Sequence, residues 1–145
     1  MGLVYLTKRV EFSASHRYYQ PKFSPTQNRR TFGKCTGSYG HGHNYTLEVT
    51  IRGPVDPMTG MVMNIKELKR ILEQVTRQLD HRYLNLDVPY FKKNIPTTEN
   101  IAVVIWQLIL KKSPGLALHR IRLWEGNELY VEYYGNDSYF SDTNL

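Results

Sequence analysis

An α+β domain in the order ββααββ, a four-stranded antiparallel sheet with two helices on one face, is the fold class the sequence predicts. Three observations carry that expectation: two alternating segments early in the chain, two amphipathic segments in its middle, and a second alternating pair split by a turn near its end. By length the 145 residues make one domain, over residues 1–134, and 41% hydrophobic content is enough for a core.

From Val4 to His16 the apolar residues Val4, Leu6, Val10, Phe12 and Ala14 sit at even positions, the period of a half-buried strand. Residues 17–40 are polar, basic and rich in Pro, Gly, Ser and Asn, so a long loop is expected there. A second strand follows, with His41, His43, Tyr45, Leu47, Val49 and Ile51 in one phase, ending at Gly53-Pro54. Asn64 with Glu67 three residues on reads as the start of a first helix, whose stripe is Leu68, Ile71, Leu72, Val75 and Leu79. Thr97 or Thr98 with Glu99 opens a second helix, with Ile101, Val104, Ile105, Leu108 and Ile109 buried and Ser113-Pro114-Gly115 as its stop. His119 to Glu125 and Leu129 to Tyr134, split by Gly126-Asn127, read as a hairpin, and residues 135–145 as a frayed tail.

Net charge is +6, unevenly placed: residues 1–63 carry eight Lys/Arg against three Asp/Glu, the remainder eleven against ten. Arg17, Lys22, Arg29, Arg30 and Lys34 fall in one acid-free stretch, which suits either a solvated loop or a small polyanion such as a triphosphate. The aromatics are mostly not interleaved with these cations and no recognition motif accompanies them, so a metal-stabilised RNA-binding module is a distant alternative and no nucleic acid is expected. No signal-peptide pattern opens the sequence and no apolar run approaches roughly 18 residues, so a cytoplasmic protein without a membrane partner is expected. The single cysteine, Cys35, cannot form an intrachain disulfide and is free for chemistry.

The histidines carry the sharpest signal. His16 is in phase with the buried residues of the first strand, and His41 and His43 with those of the second. Antiparallel pairing would bring the end of one strand beside the start of the other. Three imidazoles then form a tripod on the helix-covered side, with Gly42 keeping the backbone between two of them bare. Three neutral nitrogens leave one tetrahedral position open, the layout of a catalytic zinc site; nickel, iron or copper would also accept imidazole. Glu125 ends the run Ile121, Leu123, Glu125, which puts its carboxylate on the apolar side, where it needs a partner.

Phe12-Ser13-Ala14-Ser15-His16-Arg17, Phe32-Gly33-Lys34-Cys35, Gly40-His41-Gly42-His43-Asn44-Tyr45, Asp56 to Asn64, Leu79-Asp80-His81, Asp87-Val88-Pro89-Tyr90-Phe91, Thr97-Thr98-Glu99-Asn100 and Trp124-Glu125 together resemble the 6-pyruvoyl tetrahydropterin synthase family over residues 8–134. The resemblance implies the tunnelling fold. In it, the strands of a trimer close into a barrel, two trimers stack as a hexamer, and active sites lie between subunits. It implies Zn2+ on His16, His41 and His43; Cys35 as the base, with Asp80 and His81 as a second relay; and Glu125 as the anchor of a pterin ring, assisted by Thr98 and Glu99. The implied substrate is 7,8-dihydroneopterin triphosphate, which loses triphosphate on the way to 6-pyruvoyl tetrahydropterin. Chemically, a cation near Cys35, the metal or Lys34, would favour the thiolate, and Asp80 could fix the tautomer of His81.

Within the family the alternative is 6-carboxytetrahydropterin synthase, which takes the same substrate toward queuosine and releases acetaldehyde. The five residues between Cys35 and His41, and Asn64, resemble the pyruvoyl type. Members with Glu in place of the cysteine serve the folate route, against which Cys35 argues.

Overall fold

The computed structural model describes residues 2–135. In chain order the elements are β1 (Val4–His16), α1 (Pro25–Phe32), β2 (His41–Gly53), α2 (Ile65–Thr76), β3 (Arg82–Tyr83), α3 (Leu84–Asp87), α4 (Thr98–Lys112), β4 (Leu118–Glu125) and β5 (Leu129–Tyr133), with 3₁₀ turns at Gly33–Thr36 and Pro89–Lys92.

The two alternating segments near the N-terminus pair antiparallel along their whole length, from Val4 opposite Gly53 to His16 opposite His41. β4 pairs with the other edge of β2, and β5 with β4, both antiparallel. These are the four expected strands. β3 is a fifth: its two residues lie parallel to Ala14 and Ser15 on the outer edge of β1, so the sheet order is β3-β1-β2-β4-β5 and the sheet is mixed. Nothing in a two-residue segment has a period to read.

One face of the sheet carries Phe12, Ala14, Leu47, Val49, Ile51, Ile121 and Leu123, all buried. The stripes of α2 (Leu68, Ile71, Leu72, Val75) and α4 (Ile101, Val104, Ile105, Ile109) share that core. Each fully buried Leu or Ile contributes about 1.5–3 kcal/mol relative to exposure, so the core sets the register of β1 on β2. Thr97 caps α4 by accepting from Asn100 N at 3.2 Å, and Asn64 caps α2 by accepting from Lys66 N at 3.0 Å. Glu67 turns to Arg70 at 2.5 Å and not back to the Asn64 amide, so the expected capping box is only half formed.

The loop expected over residues 17–40 is corrected: it holds α1 and the first 3₁₀ turn. α1 has a full capping box, with the Ser24 hydroxyl accepting from Gln27 N and the Gln27 side chain accepting from Ser24 N. Asn28 is buried and bonds Gln20 through both backbone groups. Polar bonds, not an apolar stripe, order this segment, which is why its hydrophobic pattern reads as a loop. Of the expected frayed tail, residues 136–145 lie outside the described residues. Gly135 lies against the Trp106 ring, where a Cβ would come within 2.5 Å of it. Among the described residues no helix is long and apolar enough to cross a membrane.

Candidate metal centre and active site

The β1–β2 register places His16 directly across from His41 and one diagonal step from His43. The three ring centroids are 4.8, 5.0 and 4.9 Å apart, with interplanar angles of 73°, 74° and 86°. One nitrogen of each ring lies within 4.8 Å of the others, and this is the group able to hold a metal ion among the described residues. Gly40 makes the approach possible. It has φ +69°, and a Cβ there would lie 2.7 Å from the His16 carbonyl oxygen. Gly42, by contrast, has room: a Cβ would meet Ala14 O at an ordinary 3.4 Å, so its bareness is not what admits the ligands.

His16 is fully buried, and its Nδ1 lies 2.9 Å from Pro96 O and 3.2 Å from the Tyr45 hydroxyl. A carbonyl only accepts, so Nδ1 carries the hydrogen and Nε2 presents a lone pair. That Nε2 is buried and has no hydrogen-bond partner, and neither has the buried Nε2 of His43, which stands 3.3 Å from Glu125 Oε1 without hydrogen-bond geometry. Two orphaned imidazole nitrogens at one buried point would each carry a desolvation cost, which a shared metal ion removes. The residues therefore fit a metal, and the His16–Pro96 bond fixes the His16 tautomer with Nε2 free to ligate one.

Burial also pushes the His16 pKa from 6.5 down to about 4, against the weaker upward pull of the Pro96 bond and Glu125. Between those two values the unfolded chain binds a proton that the fold does not, so in the metal-free protein stability falls as pH drops from 6.5 toward 4. The expected loss is up to roughly 3 kcal/mol. Urea unfolding of metal-free protein at several pH values should show it, and His16→Gln should flatten the dependence.

Glu125, opposite Tyr45 at the end of β4, turns inward as expected. Its Oε2 accepts from Thr98 Oγ1 at 2.5 Å, and Thr98 is buried in the first turn of α4. Glu125 and Thr98 thus join the histidine cluster, while Glu99 is exposed on the next position and reaches Tyr18 electrostatically. Cys35, in the 3₁₀ turn after α1, accepts a hydrogen bond through its backbone oxygen from Tyr18 N at 2.8 Å. Its thiol is pushed up, first by burial and then by the Glu125 carboxylate. Lys34 is not among the causes acting on this thiol, so the lowering expected from that neighbour is not seen.

Asp80 and His81 contact each other, Asp80 Oδ1 to His81 Nδ1 at 3.0 Å, but stand elsewhere. They are held on the outer edge of β1 by Ser13, whose N–H donates to Asp80 Oδ1 and whose carbonyl accepts from His81 N. His81 adopts φ +58° to do this, and its side chain is 84% exposed. The Ser13 bond, then His81, lowers the Asp80 pKa. His81 borders a shallow depression with Ser13, Ala14, Ser15, Gly42, His43 and Asn44, of which Ser13, Ser15 and Asn44 hold strand positions that alternate away from the histidine face. Among the described residues, no hydrogen bond or ion pair joins the Asp80–His81 pair to Cys35 or Glu125.

Three contributors were not anticipated. Tyr45 was legible, two residues beyond His43 in the same phase. Pro96 contributes a backbone oxygen from 80 positions away and leaves no signal in sequence. Tyr18 sits in the polar segment, with its ring 4.8 Å from that of His16.

A family model described as 6-pyruvoyl tetrahydropterin synthase matches residues 5–136. The 6-pyruvoyl tetrahydrobiopterin synthase of Homo sapiens is 45% identical over 131 residues, 90% of each chain, and that of Drosophila melanogaster is 47% identical over 137 residues, 92% of this chain and 80% of the relative. The solved structure of Caenorhabditis elegans 6-pyruvoyl tetrahydropterin synthase is similar with a TM-score of 0.89 and 37% identity, covering 94% of this chain and 98% of that one.

Proposed function

The chain belongs to the 6-pyruvoyl tetrahydropterin synthase family, and from that premise we propose that it is a cytoplasmic, zinc-dependent lyase of pterin biosynthesis. Its substrate is 7,8-dihydroneopterin triphosphate and its products are 6-pyruvoyl tetrahydropterin and triphosphate. The observation that carries the reading is the convergence of buried His16 with half-buried His41 and His43, with Glu125 beside them.

His16, His41 and His43 would hold the metal through neutral imidazoles, and the chemistry it would supply there is Lewis acidity toward a substrate hydroxyl oxygen. When bound, zinc also supplies a positive charge that favours the Cys35 thiolate. Glu125 accepts two N–H bonds from one edge of the pterin ring, with Thr98 holding Oε2 and Glu99 assisting at the rim. Engaging the carboxylate this way also relieves the second cause of the raised Cys35 thiol. Cys35 takes the proton from the side-chain carbon, and elimination releases triphosphate. The remaining side chain isomerises to the dicarbonyl with all its carbons retained.

Asp80 and His81 face away from this centre, so they serve the site of a neighbouring subunit. The edges support that assembly: among the described residues, β1 is covered by β3 only at Ala14 and Ser15, and no strand pairs with the outer edge of β5. Unpaired edges of this length invite strand pairing between copies, here three chains closing a barrel and two such trimers stacking as a hexamer.

Incubating zinc-loaded protein with 7,8-dihydroneopterin triphosphate and weighing the products tests the reading. Triphosphate with a pterin that keeps every carbon supports it, acetaldehyde with a 6-carboxy pterin transfers the chain to the alternative reaction, and unchanged substrate removes both. Glu125→Ala should raise KM by roughly ten- to a hundredfold, the cost of losing charged hydrogen bonds, with a smaller effect on kcat. An unchanged KM would contradict the ring-anchor role.

A further inference from the structure

Arg17, the residue after His16, is held through its backbone and its side chain together. Its N–H donates to Asn85 Oδ1 at 2.8 Å, and Asn85 Nδ2 donates back to the Arg17 carbonyl at 2.8 Å. Its Nε donates at 2.8 Å to the carbonyl of Thr36, next to Cys35, and its guanidinium carbon lies 4.3 Å from the centre of the Tyr19 ring. The side chain is thus fixed where the strand that carries His16 meets the turn that carries the thiol. Arg17 is half-buried, as are Arg120 and Arg122, but those two share the Glu132 carboxylate. Among the described residues, no carboxylate pairs with Arg17, and neither of its terminal nitrogens has a hydrogen-bond acceptor.

We infer that Arg17 is the fixed cation of a polyphosphate subsite beside the histidine cluster, the group that takes the phosphate chain of the substrate; the inference rests on the pterin-lyase reading. With Nε committed to Thr36, the two terminal NH2 groups remain, a planar fork that matches two oxygens of one phosphate. The Thr36 bond and the stacking on Tyr19 order that fork before a ligand arrives, so little side-chain freedom is lost on binding. Residues 17–40 contain no acid, and Lys22, Arg29, Arg30 and Lys34 of that segment are exposed. Exposed cations act as a diffuse, salt-screened field that draws a polyanion in. Arg17, which is fixed, sets where it stops.

Titration calorimetry at low ionic strength tests it, with inorganic triphosphate as one titrant and 7,8-dihydroneopterin, the same ring without phosphates, as the other. The proteins are zinc-loaded wild type, Arg17→Gln, Arg17→Lys and Arg30→Gln, with metal content determined before and after. Arg17→Gln should weaken triphosphate binding about ten- to a hundredfold, the worth of charged hydrogen bonds, and leave dihydroneopterin binding and metal content within about twofold. Arg17→Lys keeps the charge without the fork and should recover only part of that loss. Arg30→Gln, which removes an exposed charge, should cost less than about threefold. Unchanged triphosphate affinity in Arg17→Gln overturns the proposal, as does a wild type that binds no triphosphate at millimolar concentration. An equal loss for both titrants also overturns it, since Arg17 would then only brace the turn. Equal losses in Arg30→Gln and Arg17→Gln overturn it too, because binding would then follow net charge. The lyase reading survives each of these results; it falls, and the proposal with it, if zinc-loaded wild type leaves 7,8-dihydroneopterin triphosphate unchanged.

Discussion

His43→Ala is expected to lose bound metal and turnover together. The imidazole is partly exposed, its Nε2 is one of two orphaned nitrogens at the centre, and it sits at the start of β2, clear of the main core. Its removal should leave the fold standing while cutting the tripod to two ligands. Altering an outer-shell partner of a metal ligand costs 10- to 100-fold in affinity, so losing a ligand should cost more than about a hundredfold. Catalysis should fall by at least about a thousandfold, because charge developing on the substrate oxygen is no longer stabilised. Metal analysis after dialysis and an activity assay on the same preparation check both. A variant that keeps one metal per chain would show that His43 is not a ligand. One that loses metal and keeps activity would show that the metal is not part of the reaction.

Cys35→Ala should separate those two properties. The thiol is near the Glu125 carboxylate, which helps raise it, but belongs to no ligand set, so metal content should match the wild type. A positioned base contributes about 10²- to 10⁴-fold, and kcat should drop by that factor with KM little changed. The side chain is partly buried in a 3₁₀ turn tied to Tyr18 through its backbone, a bond that alanine keeps. Wild-type turnover in this variant would take Cys35 out of the mechanism. Loss of metal along with turnover would instead place the thiol among the ligands.

The three-histidine cluster was legible because it follows from strand parity, which the sequence states directly. Once Phe12 and Ala14 are buried on one strand and Leu47 and Val49 on the other, His16, His41 and His43 must project to the same side, and antiparallel pairing brings them together. Glu125 was legible for the same reason, through Ile121 and Leu123. Other features depend on contacts that no local pattern encodes. α1 is stabilised by the Ser24–Gln27 box and by buried Asn28, so its apolar period is missing. The carbonyl that sets the His16 tautomer comes from Pro96, whose place is decided by how the segment before α4 crosses the end of β1. Asp80 and His81 do meet, as their adjacency suggested, but the left-handed turn at His81 and the two Ser13 bonds carry them to the sheet edge. The charge around Cys35 could not be read from its neighbour Lys34, because Glu125, ninety positions on, reaches the thiol and acts in the opposite sense.

Anomalous diffraction from crystals of the zinc-loaded protein, recorded on both sides of the zinc absorption edge, tests the central claim most directly. The account predicts one strong peak per chain, at bonding distance from nitrogens of His16, His41 and His43 and from no other side chain of that chain. A peak ligated by other residues, or full zinc loading with no peak among these three imidazoles, would contradict it.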